Sequence, residues 1–210
     1  GCSMVVVRKA DIDFNPFALK RLLRVRKANK SDVDEIFSIA CSVGTSDKIS
    51  EQGFLIDDYS SNSKFYKRRF LKAISNLRHF YVAEYGRIYG FMIAYKKEEW
   101  LKDNPSWIED VYWNPCFNKE KLDNFILIDK TAIQAGLTGQ GIGSLIYKRL
   151  ISDLKSEGIE HIFAETVISP QPNFASLQFR KKQKYNLAGM RYENYNNTMY
   201  TDLIYYKKAE

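Results

Sequence analysis

Long apolar segments and a regular cysteine pattern are both missing from this chain of 210 residues. Its longest apolar runs, such as residues 125–128, are far shorter than the roughly 20 residues that cross a bilayer. No signal-peptide pattern opens the chain. The three cysteines, Cys2, Cys41 and Cys116, are an odd number without a CxxC spacing, which indicates neither a disulfide framework nor a zinc site. We therefore expect a cytoplasmic protein in a reducing compartment, with no membrane partner and no bound metal.

The composition is that of a globular protein, with 45% hydrophobic residues, 27% charged residues and only 5 prolines. A formal charge of +7 favours a polyanionic ligand, but charge alone does not separate nucleic acid from a phosphate-rich cofactor or from a basic solvated surface. The length fits one domain. We expect this domain at residues 22–207, after an N-terminal extension of residues 1–21 in which those before Met4 derive from an expression vector.

The first half of the chain predicts a strand, two helices and a hairpin. Residues 22–27 alternate like a strand, an N-cap signal at Asn29 precedes an apolar-periodic helix, and residues 62–76 form a second amphipathic pattern. Two β-rich runs, residues 79–84 and 88–95, flank a turn that contains glycine. Residues 96–124 are polar and aromatic, and we expect an excursion with some helix because they are too long for a simple connection.

The second half predicts a helical crossover between two strands. Its elements are a buried strand at residues 125–133, a helix at 141–157, a strand at 159–168, a short helix and a last strand at 198–207. A helical crossover implies parallel neighbours, which here are the fourth and fifth strands. The order β-α-α-β-β-β-α-β-α-β therefore predicts an α+β fold around a mixed sheet.

A glycine-rich loop, residues 138–144, joins the predicted fourth strand to the following helix. Glycines permit close approach of backbone amides to an anion, and the helix N-terminus adds partial positive charge, so this loop suits a diphosphate. The loop lacks the Gly-Lys-Ser/Thr ending of a Walker A motif. It also lies too late in the chain for a Rossmann fingerprint, whose glycines follow the first strand.

These residues closely resemble the acyl-CoA signature of the GNAT superfamily, V-x-P-x-x-R-G-x-G-x-G. Five positions match in register: Ile133, Gly139, Gln140, Gly141 and Gly143. Two depart, since Ala135 stands for the usual proline and Thr138 for the usual Arg or Gln. A second family element, N-x-x-[AS] at the start of the next helix, is matched by residues 173–176. The resemblance covers residues 22–207 apart from the excursion.

The resemblance implies a mostly antiparallel mixed sheet with helices around it, in which the parallel strands four and five splay apart. It implies acetyl-CoA as cosubstrate and acetyl transfer to a primary amine, of a small molecule or a protein, by direct attack. The cofactor contacts that it implies are Ala132, Ile133, Thr138, Gly139, Gln140, Gly141, Ile142, Gly143, Ser144, Asn173 and Ser176.

Such chemistry needs a base, because an amine with a pKa of about 10.4 is almost wholly protonated at neutral pH. The candidates are Asp129 on strand four, Glu165 on strand five and Glu84 on strand two, and each also fits an ion-paired carboxylate. The tyrosine that often protonates the thiolate in this family is replaced by Arg180. Tyr185 or water is the alternative acid, although Tyr185 also fits the edge of the core.

Other interpretations stay open. Residues 100–117 suit a lid over the acceptor, since aromatic rings and Glu109 could recognise a cation, but they equally suit packing over a sheet edge or a homodimer contact. A non-catalytic acyl-CoA sensor and a nucleic-acid-binding module are the competing functions, the latter resting only on charge and the basic run at 180–184. We expect His79 and His161, both in strand patterns, to be structural.

Overall fold

The computed structural model describes residues 16–44 and 48–210. Within these ranges the α-helices are Pro16–Leu22 (α1), Val33–Val43 (α2), Ser63–Asn76 (α3), Lys97–Asp103 (α4), Trp107–Asp110 (α5), Ile142–Glu157 (α6) and Phe174–Lys182 (α7). The strands are Arg24–Lys27 (β1), His79–Tyr85 (β2), Arg87–Lys96 (β3), Tyr112–Trp113 (β4), Ile126–Ile133 (β5), His161–Ser169 (β6), Asn186–Tyr195 (β7) and Thr198–Lys208 (β8). None of the helices in this part of the chain is both long and apolar enough to cross a bilayer.

The strands form one mixed sheet in the order β1-β2-β3-β5-β6-β8-β7-β4, with helices around it. β5 and β6 run parallel, as the crossover through α6 requires. Antiparallel pairing joins β1 to β2, β6 to β8, β8 to β7 and β7 to β4. The predicted α+β fold with a mixed sheet is confirmed, and the predicted strands four and five are β5 and β6.

The chain divides into two compact units, of which the first contains the described residues up to Ile93 together with Lys130–Leu150. Helix α2 begins where the sequence predicts, because Asn29 forms a capping box with Asp32 at the 3-10 turn Lys30–Asp32 just before it. The apolar face of α2 is buried, with Ile36, Ile39 and Ala40 at most 1% exposed. The turn between β2 and β3 is made by Gly86 at φ +68°, a conformation that favours glycine.

The second unit, Ala94–Asp129 and Ile151–Glu210, has an aromatic core. Trp107 lies at its centre, 1% exposed, with ring centroids 5.8 Å from Phe125 and 6.2 Å from Phe163. The buried residues packed together here are Trp100, Trp107, Val111, Leu122, Phe125, Leu127, Phe163, Ala188, Ile204 and Tyr206. The excursion at residues 96–124 therefore supplies much of this core, and it contains the helices α4 and α5.

Two strands were not predicted. β4 has only two residues, too few to show any periodicity. β7 lacks a clean two-residue alternation, because its register against β8 shifts between Leu187 and Gly189. The strand predicted at residues 22–27 begins only at Arg24, since α1 extends to Leu22.

The N-terminal extension proves to contain helix α1, whereas the residues before Met4 lie outside the described part of the chain. Cys41 takes part in a disulfide bond, contrary to the expectation from the cysteine spacing, which carries no information on distant pairings. Cys116 is exposed and free.

Candidate active site

The glycine-rich loop is held at both of its ends. Where β5 ends, the Gln134 amide donates to the Tyr89 carbonyl on β3 at 2.8 Å. The Leu137 amide then donates to the Gln134 carbonyl at 3.0 Å, which closes a turn. Gln134, Leu137 and Ile142 are all buried, whereas residues 138–141 between them are exposed or half-exposed. The backbone of the loop is therefore fixed and accessible at once.

Two glycines give the loop its conformation. Gly139 has φ +81° and Gly141 has φ +85°, both in the region that side chains with a Cβ avoid. A Cβ built on Gly139 would meet no atom within 4 Å, so the space above this residue is open. α6 starts where the Leu145 amide donates to the Gly141 carbonyl at 3.2 Å. The amides of residues 142–144, in the first turn of α6, have no acceptor within the helix and can therefore donate hydrogen bonds to an anion.

The predicted cofactor residues fall into two groups. Thr138, Gly139, Gln140, Gly141, Ile142, Gly143 and Ser144 form one continuous turn from strand to helix, directly after Ala132 and Ile133 on β5. Asn173 and Ser176 lie in the second unit, where Asn173 is the N-cap residue of α7 and Ser176 is half-buried in its first turn.

A glycine that sequence analysis did not single out supports this end of β5. On β3, a Cβ at Gly90 would approach the Cδ1 atom of Ile133 to 2.7 Å and the carbonyl oxygen of Ala132 to 3.2 Å. Ile142 lies 3.4 Å from the same point. The absence of a side chain at Gly90 therefore allows both ends of the loop to pack against β3.

Asp129 and Glu165 occupy matching positions just past the parallel pairing of β5 with β6. The register pairs Leu127 with Phe163 and ends with Ile128 opposite Ala164. Side chains alternate along a strand, so Asp129 lies on the face of Leu127, and Glu165 on the face of Phe163. That is the face covered by the aromatic core. Asp129 is half-buried there.

Glu165 lies in a compact group of charged side chains, which we call the acidic cluster: Glu165, Arg191, Glu193 and Asp202. The Trp107 indole donates a hydrogen bond to the Glu165 carboxylate. Arg191 donates from Nη2 to Glu165 at 2.7 Å and to Glu193 at 3.2 Å, and it lies 3.6 Å from Asp202. Three carboxylates, whose oxygens lie within 4.8 Å of one another, thus share one guanidinium.

The acidic cluster has three carboxyl groups and one guanidinium. Because burial disfavours the charged form of a carboxyl group, ionisation of all three is energetically costly. Burial, followed by the negative charges of Glu165 and Glu193, raises the pKa of Asp202 to about 8. Burial likewise raises the pKa of Glu165, and it outweighs the opposing effects of Arg191 and Trp107. The acidic cluster therefore retains a proton at neutral pH. Sequence reasoning named Glu165 but missed Arg191 and Asp202, although an aspartate within a β-rich run is itself a signal.

The basic residue at the position of the family tyrosine is buried. Arg180, on α7, is only 5% exposed, and within the described part of the chain neither its Nε nor its Nη1 has a hydrogen-bond acceptor. Its guanidinium carbon lies 4.9 Å from the centre of the Tyr185 ring. Tyr185 is itself buried and packs edge-on against Tyr205, at 6.5 Å between centroids. This places a cation beside the candidate acid.

The remaining candidates are engaged in structural contacts. Glu84, on β2, accepts two hydrogen bonds from Arg26, at 2.8 and 2.9 Å. The rings of His79 and His161 hydrogen-bond to tyrosine hydroxyls, each at 2.8 Å, as expected for structural histidines.

The aromatic segment packs onto the sheet. Trp100 and Trp107 are buried in the core of the second unit, in agreement with the packing interpretation. Glu109 is exposed, and so is Tyr112, at 67%. A role of this segment as a lid or in a homodimer stays a prediction, as does the absence of a metal.

Comparison with known proteins identifies the family. The model of the acetyltransferase (GNAT) family matches residues 49–184, well over half of the chain. The chain therefore belongs to the GNAT acetyltransferase family. A search of curated protein sequences finds no match.

Solved structures show the same fold at low sequence identity. Ard1 from Thermoplasma volcanium is 13% identical with a TM-score of 0.60, and the match covers 89% of this chain and 97% of that one. PaiA N-acetyltransferase from Thermoplasma acidophilum, solved in complex with coenzyme A, is 16% identical with a TM-score of 0.58, covering 89% and 98%. An N-acetyltransferase from Staphylococcus aureus Mu50 is 16% identical with a TM-score of 0.53, covering 90% and 99%.

Proposed function

We propose that this protein transfers an acetyl group from acetyl-CoA to a primary amine. The observation that carries the proposal is the loop at residues 138–144, whose anchored ends and left-handed glycines present the first amides of α6 to an anion. Membership of the GNAT family and the coenzyme A complex of the related PaiA fold support the same ligand.

In this proposal the diphosphate of acetyl-CoA lies on the amides of residues 142–144. A helix terminus contributes about 0.3–1 kcal/mol to each charge that it faces, so several amides must converge. Thr138 offers a neutral hydroxyl where the family pattern has Arg or Gln, and the backbone therefore supplies most of the binding. The pantetheine arm follows β5 at Ala132 and Ile133.

The reaction that we propose is a direct displacement. The amine nitrogen attacks the thioester carbonyl, the C–S bond breaks as the tetrahedral intermediate collapses, and the nitrogen gives up a proton. Deprotonating an amine with a pKa of 10.4 at pH 7 costs about 4.6 kcal/mol, so a base is needed. Glu165 and Asp129 are the candidates, and the raised pKa of Glu165 suits a base that works near neutral pH.

The departing thiolate must take up a proton or be stabilised as an anion. Tyr185 remains the candidate acid, with water as the alternative. Arg180 is a buried cation whose Nε and Nη1 have no acceptor among the described residues, so it would stabilise a thiolate even though a guanidinium does not give up its proton.

The experiment compares two glycines of the first unit that share a positive φ. In Gly139→Ala and in Gly86→Ala the new Cβ meets open space, so each substitution should cost about 1 kcal/mol of stability through backbone strain alone. Only Gly139→Ala should also weaken acetyl-CoA binding, by about tenfold or more, because it displaces loop amides. Calorimetric titration with acetyl-CoA measures this effect.

A panel of amines tested for release of free CoA thiol then identifies the acceptor class. Two results would contradict the proposal: a wild-type protein that does not bind acetyl-CoA, or equal binding by the two glycine variants. If acetyl-CoA binds but no amine accelerates thiol release, the protein is instead an acyl-CoA sensor. The residues Thr138 and Arg180, which depart from the family pattern, are the observations that favour this second candidate function.

A further inference from the structure

The side chain of Lys20 lies directly over the glycine loop. Its Nζ is 2.8 Å from the point where a Cβ on Gly141 would stand, and its Cε and Cδ atoms are 3.1 and 3.3 Å from the same point. Lys20 belongs to α1, a helix within the N-terminal extension that the family resemblance does not cover. A side chain remote in sequence thus reaches the turn that opens α6.

The position of Lys20 is set by buried neighbours on α1 and directly after it. Leu19 is 1% exposed and Leu23 is 9% exposed, so the apolar side of this segment is fixed in the core of the first unit. The Leu23 amide continues the helical hydrogen bonding by donating to the Leu19 carbonyl at 3.0 Å. Lys20 follows Leu19 directly and is exposed. The backbone at Lys20 is therefore fixed by the packing of its neighbours, and its side chain extends from there to the loop.

The loop itself has no cationic side chain. Residues 134–144 contain neither lysine nor arginine, and Thr138 occupies the place of the family's Arg or Gln. A diphosphate is doubly charged, whereas backbone amides contribute only partial charges. Lysine is a common phosphate ligand in proteins because its ammonium group is a compact point charge. The ammonium group of Lys20 lies beside this loop and would supply it with a full positive charge.

We propose that Lys20 binds the diphosphate of acetyl-CoA and supplies the positive charge that the Thr138 hydroxyl lacks. This inference rests on the proposed function and deepens it. A charge-assisted hydrogen bond at a partly exposed site should contribute about a tenfold change in affinity. The contact should be stronger at low ionic strength, because exposed charges are screened by salt.

The test is calorimetric titration of wild type, Lys20→Ala, Lys20→Arg and the control Arg21→Ala. Arg21 is the exposed basic neighbour on the same helix, so its loss removes the same net charge. We expect Lys20→Ala to weaken acetyl-CoA binding about tenfold, with unchanged melting of the free protein, and Lys20→Arg to retain most of the affinity. Arg21→Ala should bind like wild type.

The choice of ligand locates the contact. With dephospho-coenzyme A, which keeps the diphosphate but lacks the 3′-phosphate, the tenfold difference between wild type and Lys20→Ala should persist. With S-acetylpantetheine, which has neither, wild type and Lys20→Ala should have the same KM.

Each other outcome overturns the inference in a recognisable way. If wild type binds acetyl-CoA and Lys20→Ala binds equally well, Lys20 does not contact the cofactor, while the proposed function stands. If Lys20→Ala binds more tightly, the Lys20 side chain blocks the loop and the cofactor must displace it. If the difference disappears with dephospho-coenzyme A, Lys20 contacts the 3′-phosphate and the diphosphate assignment is wrong. If wild type does not bind acetyl-CoA at all, the proposed function fails as well.

Discussion

Replacing Asp202 with asparagine should stabilise the folded protein at alkaline pH and have little effect at acidic pH. Asp202 is 2% exposed and lies in the acidic cluster, where its pKa is raised from 3.8 to about 8. A carboxyl group with a raised pKa keeps its proton in the folded state while the unfolded chain has already lost its own. Stability from this group is therefore complete below pH 4 and is lost as the pH rises towards 8.

The size of the effect follows from the two pKa values. Each pH unit between them changes the free energy of unfolding by about 1.4 kcal/mol, which gives a loss of about 2 kcal/mol from pH 6 to pH 8. For a chain of this length, that corresponds to a fall of about 4–8 °C in Tm. Asp202→Asn keeps the shape of the side chain and cannot ionise, so the variant should lack this fall.

The assay is thermal unfolding of wild type and Asp202→Asn at pH steps from 5 to 9 in buffers of equal ionic strength. Because the negative charges of Glu165 and Asp202 disfavour each other's ionisation, the difference between the two curves measures what Asp202 adds to the ionisation of the pair. Asp103→Asn, at an exposed aspartate at the end of α4, is the matched control and should follow wild type. Parallel curves for wild type and Asp202→Asn would refute the reasoning, because they would mean that Asp202 ionises in the folded protein as easily as in the unfolded chain.

Two further predictions concern the first unit. Arg26→Met leaves the buried carboxylate of Asp32 without its guanidinium, so it should lower the free energy of unfolding at neutral pH by on the order of 2 kcal/mol. Lys67→Met breaks an exposed ion pair and should lower it by less than about 0.5 kcal/mol. Chemical denaturation measures both effects. Equal losses in these two variants would contradict the argument. Gly90→Ala should lower stability by about 1–3 kcal/mol because its Cβ collides with Ile133, and the double variant with Ile133→Val, which removes the colliding atom, should recover part of the loss. A fully tolerated Gly90→Ala would show that β3 and β5 are free to move apart.

The sequence predicts well those features that depend on local pattern. The loop at residues 138–144 was predicted because its glycines are close together and are flanked by a buried strand and an amphipathic helix. Glu165 was named because it is a carboxylate on the predicted fifth strand. The acidic cluster as a whole was not predicted, since Arg191 and Asp202 are cross-strand partners in the β7–β8 register, and the bulge after Leu187 shifts that register. Sequence spacing does not encode such a pairing.

Helix α1 and residues 96–124 each bring a side chain to part of the candidate site. The N-terminal helix α1 brings Lys20 to the glycine loop, and the segment at residues 96–124 brings Trp107 to the Glu165 carboxylate. The family pattern itself supplies backbone geometry, in the form of loop amides and the ends of β5 and β6. Trp107 is fully packed in the aromatic core, so the indole that it presents to Glu165 has a fixed direction and removes water from one side of that carboxylate. The orientation of Glu165 therefore depends on a side chain from residues 96–124, whereas its raised pKa is due to burial, which outweighs the hydrogen bond from Trp107.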